Sequence, residues 1–208
     1  MAEEAWVEVR DEPRHRRRFE NELVRVYDVL IPPGDTTLYH RHTEDTFYVA
    51  VNEATVRDRT WGEAEARTGT APAGSLLCRP HRARPLIHQV HNLGDAAMRL
   101  IGAEIKAAPP VSAGEALAAP GHELRLERER LRAYELALGP GESTGPVEYR
   151  FASLTVLLTV ASVAVRQGGA ERTMVYAPGD VIWAPGPQEL TITNVGEEAL
   201  RAAVGEWR

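Results

Sequence analysis

The chain has 208 residues, 43% of them apolar and 26% charged, a globular balance that excludes a largely disordered protein. Its formal net charge is −6, and the only dense basic run lies between Arg14 and Arg18, so nucleic acid is not the expected partner. A single cysteine, Cys78, excludes an intrachain disulfide and fits a reducing compartment or indifference to redox state.

The first residues, Met1-Ala2-Glu3-Glu4-Ala5-Trp6, show neither a basic nor an apolar leader. Residues 5–9 read as an edge strand. The Arg14 to Arg18 run, with His15 inside it, reads as a solvated face. Residues 23–31 mix alternating and continuous apolar character and end at Pro32-Pro33-Gly34. Residues 46–51, 98–105 and 154–165 carry the same β-branched and aromatic signal, punctuated by Pro-Gly and Asn-x-Gly turns. The stretch 154–165 is the longest apolar one. Thr155, Thr159 and Ser162 interrupt it, and it is shorter than the roughly 20 residues of a membrane helix. The expectation is a soluble cytoplasmic protein with no membrane partner.

The chain repeats itself. Tyr27 and Tyr134 stand 107 residues apart, and the same offset carries Pro33-Gly34 onto Pro140-Gly141, Thr37 onto Thr144 and Val49 onto Val156. Further on, Pro80 answers to Pro185 and Asn92-Leu93-Gly94-Asp95 to Asn194-Val195-Gly196-Glu197, the first copy carrying about three extra residues before Asn92. Many short strands without helical periodicity, repeated once, predict an all-β chain of two small tandem barrels. The expected division is 1–107, a linker at 108–122 with one short helix near 114–119, and 123–208.

Seven histidines are present: His15, His40, His42, His81, His88, His91 and His122. In a strand, His40 and His42 project to one face and can chelate a divalent metal from one rigid element. His91 is odd-spaced from His88 and falls on the opposite face. His81, among Arg79, Arg82 and Arg84, reads as a solvated loop residue, although these arginines could pair with a ligand anion. His15 and His122 read as surface groups, and Cys78 as a buried strand residue.

Gly34, five residues, His40-Arg41-His42, then an acid before the strand 46–51, followed far downstream by His88-Gln89-Val90-His91-Asn92, resembles the two sequence motifs of the cupin superfamily. With the duplication, the chain looks like a two-domain cupin built of RmlC-like jelly-roll barrels. The resemblance covers about residues 19–106, repeated over 126–207. It implies that His40, His42 and His88 bind one divalent metal (Fe, Mn, Ni, Cu or Zn), with Asp45 as the acidic ligand and Glu44 as its rival. Asp45 is shorter than the family's Glu and comes one residue early. Alternation from Asp45 predicts Phe47, Val49 and Val51 as an apolar wall of the site, with Tyr39 and Tyr48 as weak candidates for proton transfer.

In the second copy the ligand positions fall on Val147, Tyr149, Ala152 and, near it, Leu190, so that barrel is expected to hold no metal, while an apolar pocket near Trp183 stays open. The expected function is a small-molecule metalloenzyme, an oxygenase before an isomerase or cyclase, acting in the first barrel. The alternative is a non-catalytic metabolite- or metal-binding protein. Homodimerisation through sheet edges is a further option that the resemblance implies.

Overall fold

A computed structural model of the chain describes residues 5–111 and 114–208. Two compact units divide it, Met1–Ala107 and Ala108–Arg208. The first contains β1 (Val7–Glu8), β2 (His15–Glu20), β3 (Val24–Ile31), β4 (His40–His42), β5 (Thr46–Ala50), β6 (Ala54–Thr60), β7 (Arg67–Ala71), β8 (Leu76–Arg79), β9 (Leu86–Asn92) and β10 (Met98–Ile105), with a 3-10 turn at Val9–Asp11. They form two five-stranded sheets, ordered β1-β4-β9-β6-β7 and β2-β3-β10-β5-β8. The second unit contains β11 (His122–Arg128), β12 (Leu131–Leu138), β13 (Ser143–Tyr149), β14 (Ser153–Leu157), β15 (Ala161–Gln167), β16 (Ala170–Tyr176), β17 (Val181–Ala184), β18 (Gln188–Asn194) and β19 (Leu200–Trp207). Its sheets are β11-β12-β19-β14-β17 and β13-β18-β15-β16. Apart from β1, which has no counterpart among the described residues, the two topologies are the same.

Equivalent residues do equivalent work. Gly34 and Gly141 both take positive φ, at 69° and 75°, where a Cβ is strained, so each closes the turn after its Pro. Asn92 and Asn194, both fully buried, donate to equivalent backbone carbonyls, Ile31 and Ala96 in one unit, Leu138 and Glu198 in the other, Asn92 reaching Pro32 O as well. A buried ionic frame also recurs: Arg25 bonds Glu20 and Glu104, with Tyr27 donating to Glu104, while Arg132 bonds Glu127 and Glu206, with Tyr134 donating to Glu206.

Two local expectations change. The apolar stretch 154–165 is two strands, β14 and β15, lying in different sheets. Thr159 between them bonds Ala199 O and Arg201 N, as Asn52 bonds Ala97 O and Arg99 N in the first unit. The short helix near 114–119 does not form; residues 114–120 are irregular. A segment that short does not sustain a helix alone, and the Leu117 N–H is taken by the Tyr134 phenol at 3.0 Å. No described helix is long and apolar enough to cross a membrane.

Candidate metal centre

β4 and β9 pair with His40 opposite His88, and the alternation of β4 puts His40 and His42 on one face. These rings meet inside the first unit: ring centroids lie 4.9 Å apart for His40 and His42, 4.6 Å for His40 and His88, and 5.1 Å for His42 and His88. The sequence places these three together, and so does the fold.

A fourth ring arrives from the other sheet. His15, at the start of β2, lies 4.7 Å from His40 and 6.2 Å from His42 by ring centroid. Ligand atoms of His15, His40 and His42 all lie within 4.8 Å of one another. The expectation of a surface His15 is therefore corrected. Its side chain is only 8% exposed, set against the Tyr27 and His40 rings with Glu12 on its Nδ1. The neighbouring arginines, Arg16, Arg17 and Arg18, are exposed.

Each ring is anchored from behind. His15 Nδ1 lies 2.9 Å from the Glu12 carboxylate, His40 Nδ1 lies 2.9 Å from Leu38 O, and His88 Nδ1 lies 2.9 Å from the Asp58 carboxylate. These acceptors have no proton to give, so each Nδ1 carries the hydrogen and each Nε2 keeps its lone pair. His42 Nδ1 meets the Tyr48 hydroxyl at 3.3 Å, and its Nε2 is 3.2 Å from His88 Nε2. Buried His40 Nε2 has no hydrogen-bond partner, an arrangement that costs free energy unless something else fills the place.

Burial is the main reason that His15, His40 and His42 stay neutral. It pushes the His40 imidazolium down to about 2, with like-charge repulsion from His88 and His15 adding to it. Burial, then His88 and His40, holds His42 well below the ordinary range, and burial lowers His15 against the opposing pull of Glu12. For Glu12 burial acts against ionisation, yet hydrogen bonds from His15, Leu38 N–H and Arg14 N–H outweigh it and hold the carboxyl low. The centre is thus a set of neutral nitrogen donors backed by an ionised carboxylate.

Donor atoms on one ion, bound at about 2.0–2.1 Å, stand about 3.0–3.4 Å apart when adjacent and about 4.2 Å when opposite. The 4.8 Å limit among His15, His40 and His42 fits a single divalent cation with modest contraction, and His88, outside that group of three, joins it through its 3.2 Å approach to His42.

Asp45, the predicted acidic ligand, is engaged elsewhere: its carboxylate accepts the Arg82 backbone N–H at 2.9 Å, and its charge acts on His81. Glu44 pairs with the Arg82 guanidinium at 2.8 Å. The short Asp side chain, one residue early, reaches the loop at Arg82 and fastens it. That loop brings in a fifth imidazole. His81 is buried, not solvated, and stacks on His42 at 4.9 Å and 24°. Its Nε2 is 3.2 Å from the Tyr48 hydroxyl, and burial lowers its pKa to about 4. His91 bonds Thr36 Oγ1 on the far face of β9. On β5 the face opposite to the predicted one meets the histidines: Tyr48 touches them, while Phe47 and Val49 are fully buried on the other side.

His122 is the second unit's counterpart of His15. It is half-buried, with Nε2 at 3.0 Å from the Tyr149 hydroxyl and Nδ1 at 3.0 Å from Pro120 O. Val147 and Leu190 are partners across β13 and β18, the places of His40 and His88. No divalent-cation donor set assembles there among the described residues.

No family model matches the chain, and no curated protein matches it in sequence. Solved structures do match. AerE from Microcystis aeruginosa superposes at a TM-score of 0.58 with 11% identity, covering 95% of this chain and 98% of that one. A salicylate 1,2-dioxygenase from Pseudaminobacter salicylatoxidans gives 0.62 and 15%, covering 89% and 71%. An oxalate decarboxylase from Bacillus subtilis gives 0.59 and 13%, covering 93% and 74%. At these identities the likeness is one of fold: two tandem cupin domains, all-β throughout.

Proposed function

On that tandem cupin fold, we propose that the first unit is a one-metal centre held by His15, His40, His42 and His88, and that it serves a small-molecule metalloenzyme of the oxygenase class. One observation carries the reading. Three of the four rings have Nδ1 tied to a carboxylate or carbonyl and the fourth to a hydroxyl, which leaves the Nε2 atoms for the centre. His15 takes the place that the sequence motif gives to Asp45. Neutral imidazoles suit Fe, Mn, Ni, Cu or Zn. A divalent cation there supplies Lewis-acid polarisation of a substrate oxygen and, when redox-active, chemistry with dioxygen.

The protein's own part is positioning and proton handling. With Nε2 committed, His42 carries its proton at Nδ1 and donates to the Tyr48 oxygen, and Tyr48 O–H then donates to His81 Nε2. His81, lowered to about 4 by burial, is neutral at pH 7 and so keeps a lone pair for the Tyr48 hydroxyl, which fixes the direction of this hydrogen-bond chain. The carboxylates of Glu12 and Asp58 are already taken up by imidazole N–H groups. That favours the second reading, metal or metabolite binding without turnover, should the Tyr48–His81 chain prove idle.

The test is metal content of the purified full chain after loading with each of the five cations. It is followed by oxygen uptake and product analysis with salicylate and oxalate as first substrates, the compounds that name two of the structural neighbours. One metal per chain with metal-dependent turnover is expected. One metal with no turnover on a wider panel of phenols and carboxylic acids supports the binder. No retained metal overturns the metalloenzyme and the metal binder alike.

A further inference from the structure

The second unit encloses a cavity of about 390 Å³ between its sheets, within the range of about 300–1,000 Å³ typical of small-molecule sites. Its origin can be traced residue by residue. Tyr149 and Leu190 line it where the first unit has His42 and His88. Thr155 lines it where the first unit has Tyr48; each pairs at the same place with the next strand, Tyr48 with Leu77 and Thr155 with Ile182. His81 corresponds to Gly186, which has φ +59°, and a Cβ there would lie 2.2 Å from Phe151 O. Two rings that fill the first centre are therefore missing from the second, and imidazoles have become a phenol and an isobutyl group. The space left is lined mainly by apolar side chains; its polar lining includes Ser153, Thr155, the mutually bonded Gln167 and Gln188, and Arg172 on the exposed strand β16.

Among its polar groups, Tyr149 is held in one fixed hydrogen-bonded state. Pro120 O accepts only, so His122 Nδ1 carries the hydrogen and His122 Nε2 accepts from the Tyr149 hydroxyl. The Tyr149 oxygen, its proton given to His122, is left as an acceptor in a residue that lines the cavity. Trp183 also lines the cavity.

We propose that this cavity is a second ligand site, independent of the metal, for a small uncharged molecule with a one- or two-ring apolar body and a single hydroxyl. The ligand hydroxyl donates to Tyr149, whose own proton is held by His122, and the body displaces water from Leu136, Leu190 and Val204.

The probe is 1-naphthol, titrated into the full chain by calorimetry, with 1-methoxynaphthalene, which has no donor, as comparator. One site per chain is expected, with the methoxy compound weaker. Tyr149→Phe should weaken 1-naphthol about tenfold and leave 1-methoxynaphthalene unchanged. Thr155→Phe and Leu190→Phe should each abolish binding, the second standing in if circular dichroism shows the first unfolded. His40→Ala/His88→Ala should bind 1-naphthol as the wild type does. Absence of binding up to about 1 mM, wild-type affinity in a folded cavity-filling variant, or loss of binding in the double histidine variant would each overturn the proposal. The last would place the ligand in the first unit.

Discussion

Arg25 in the first unit bridges Glu20 and Glu104, and Arg132 in the second bridges Glu127 and Glu206, with a buried tyrosine on the inner carboxylate each time. The interiors that these frames enclose have nothing comparable in common. Where the first unit has His40, His42 and His88, the second has Val147, Tyr149 and Leu190. The side chains behind the ligands have gone as well: Glu12, Tyr48 and Asp58 correspond to Ala119, Thr155 and Val165. A duplicated fold keeps the polar contacts without which it would strand a buried charge. It is free to replace a centre together with its supports, because those supports serve only the centre.

The strongest way to break this comparison is to attack the shared frame. Arg132 and Glu206 are buried, and burial already raises the Glu206 pKa against the opposing pull of Tyr134 and Arg132. R132M should cost about 3–5 kcal/mol in urea unfolding of the full chain. R25M should cost less, because Arg25 is more exposed. An R132M protein within about 1 kcal/mol of wild type would mean that the frame is dispensable. Next comes a support found in one unit only. Glu12→Gln keeps the size of the side chain but weakens the anchor on His15, and metal affinity in chelator competition should fall about 10–100-fold. Unchanged affinity would remove His15 from the ligand set.

The smallest expected effect concerns Glu20. Hydrogen bonds from Arg25 and Lys106 hold its carboxyl at about 2, below the about 4.3 of a free glutamate. A depressed carboxyl adds stability that is present above the free value and lost as pH falls toward the folded one. E20Q should therefore flatten the loss of stability between about pH 4 and pH 2. The change should be slight, because the pair is partly exposed. An acid-unfolding curve of unchanged slope would show that the outer half of the frame carries no measurable stability.

Much of this was legible in the sequence. The duplication, the all-β class and the pairing of His40 with His42 follow from spacing, the addition of His88 follows from the resemblance to the cupin motifs, and the offset of 107 that aligns the tyrosines also carries His15 onto His122. That coincidence is the signal for the fourth ring. It was masked because β2 is an edge strand whose Arg16, Arg17 and Arg18 face solvent, so its apolar pattern is too weak to show which way His15 points. The facing of β5 was illegible for the opposite reason: Phe47, Val49 and Ala50 are all buried, and a strand covered on both sides does not show by alternation which side faces the site. His81 lies in an Arg- and Pro-rich loop, and its burial depends on Asp45 holding the Arg82 amide 37 residues away, a contact that local pattern does not encode.

Anomalous X-ray scattering from crystals of the metal-loaded chain tests the central claim most directly. The prediction is one peak in the first unit, within about 2.0–2.3 Å of Nε2 of His15, His40, His42 and His88, and none in the second unit. A peak bound by Asp45 with His15 turned away, or no peak among these four rings, would contradict it.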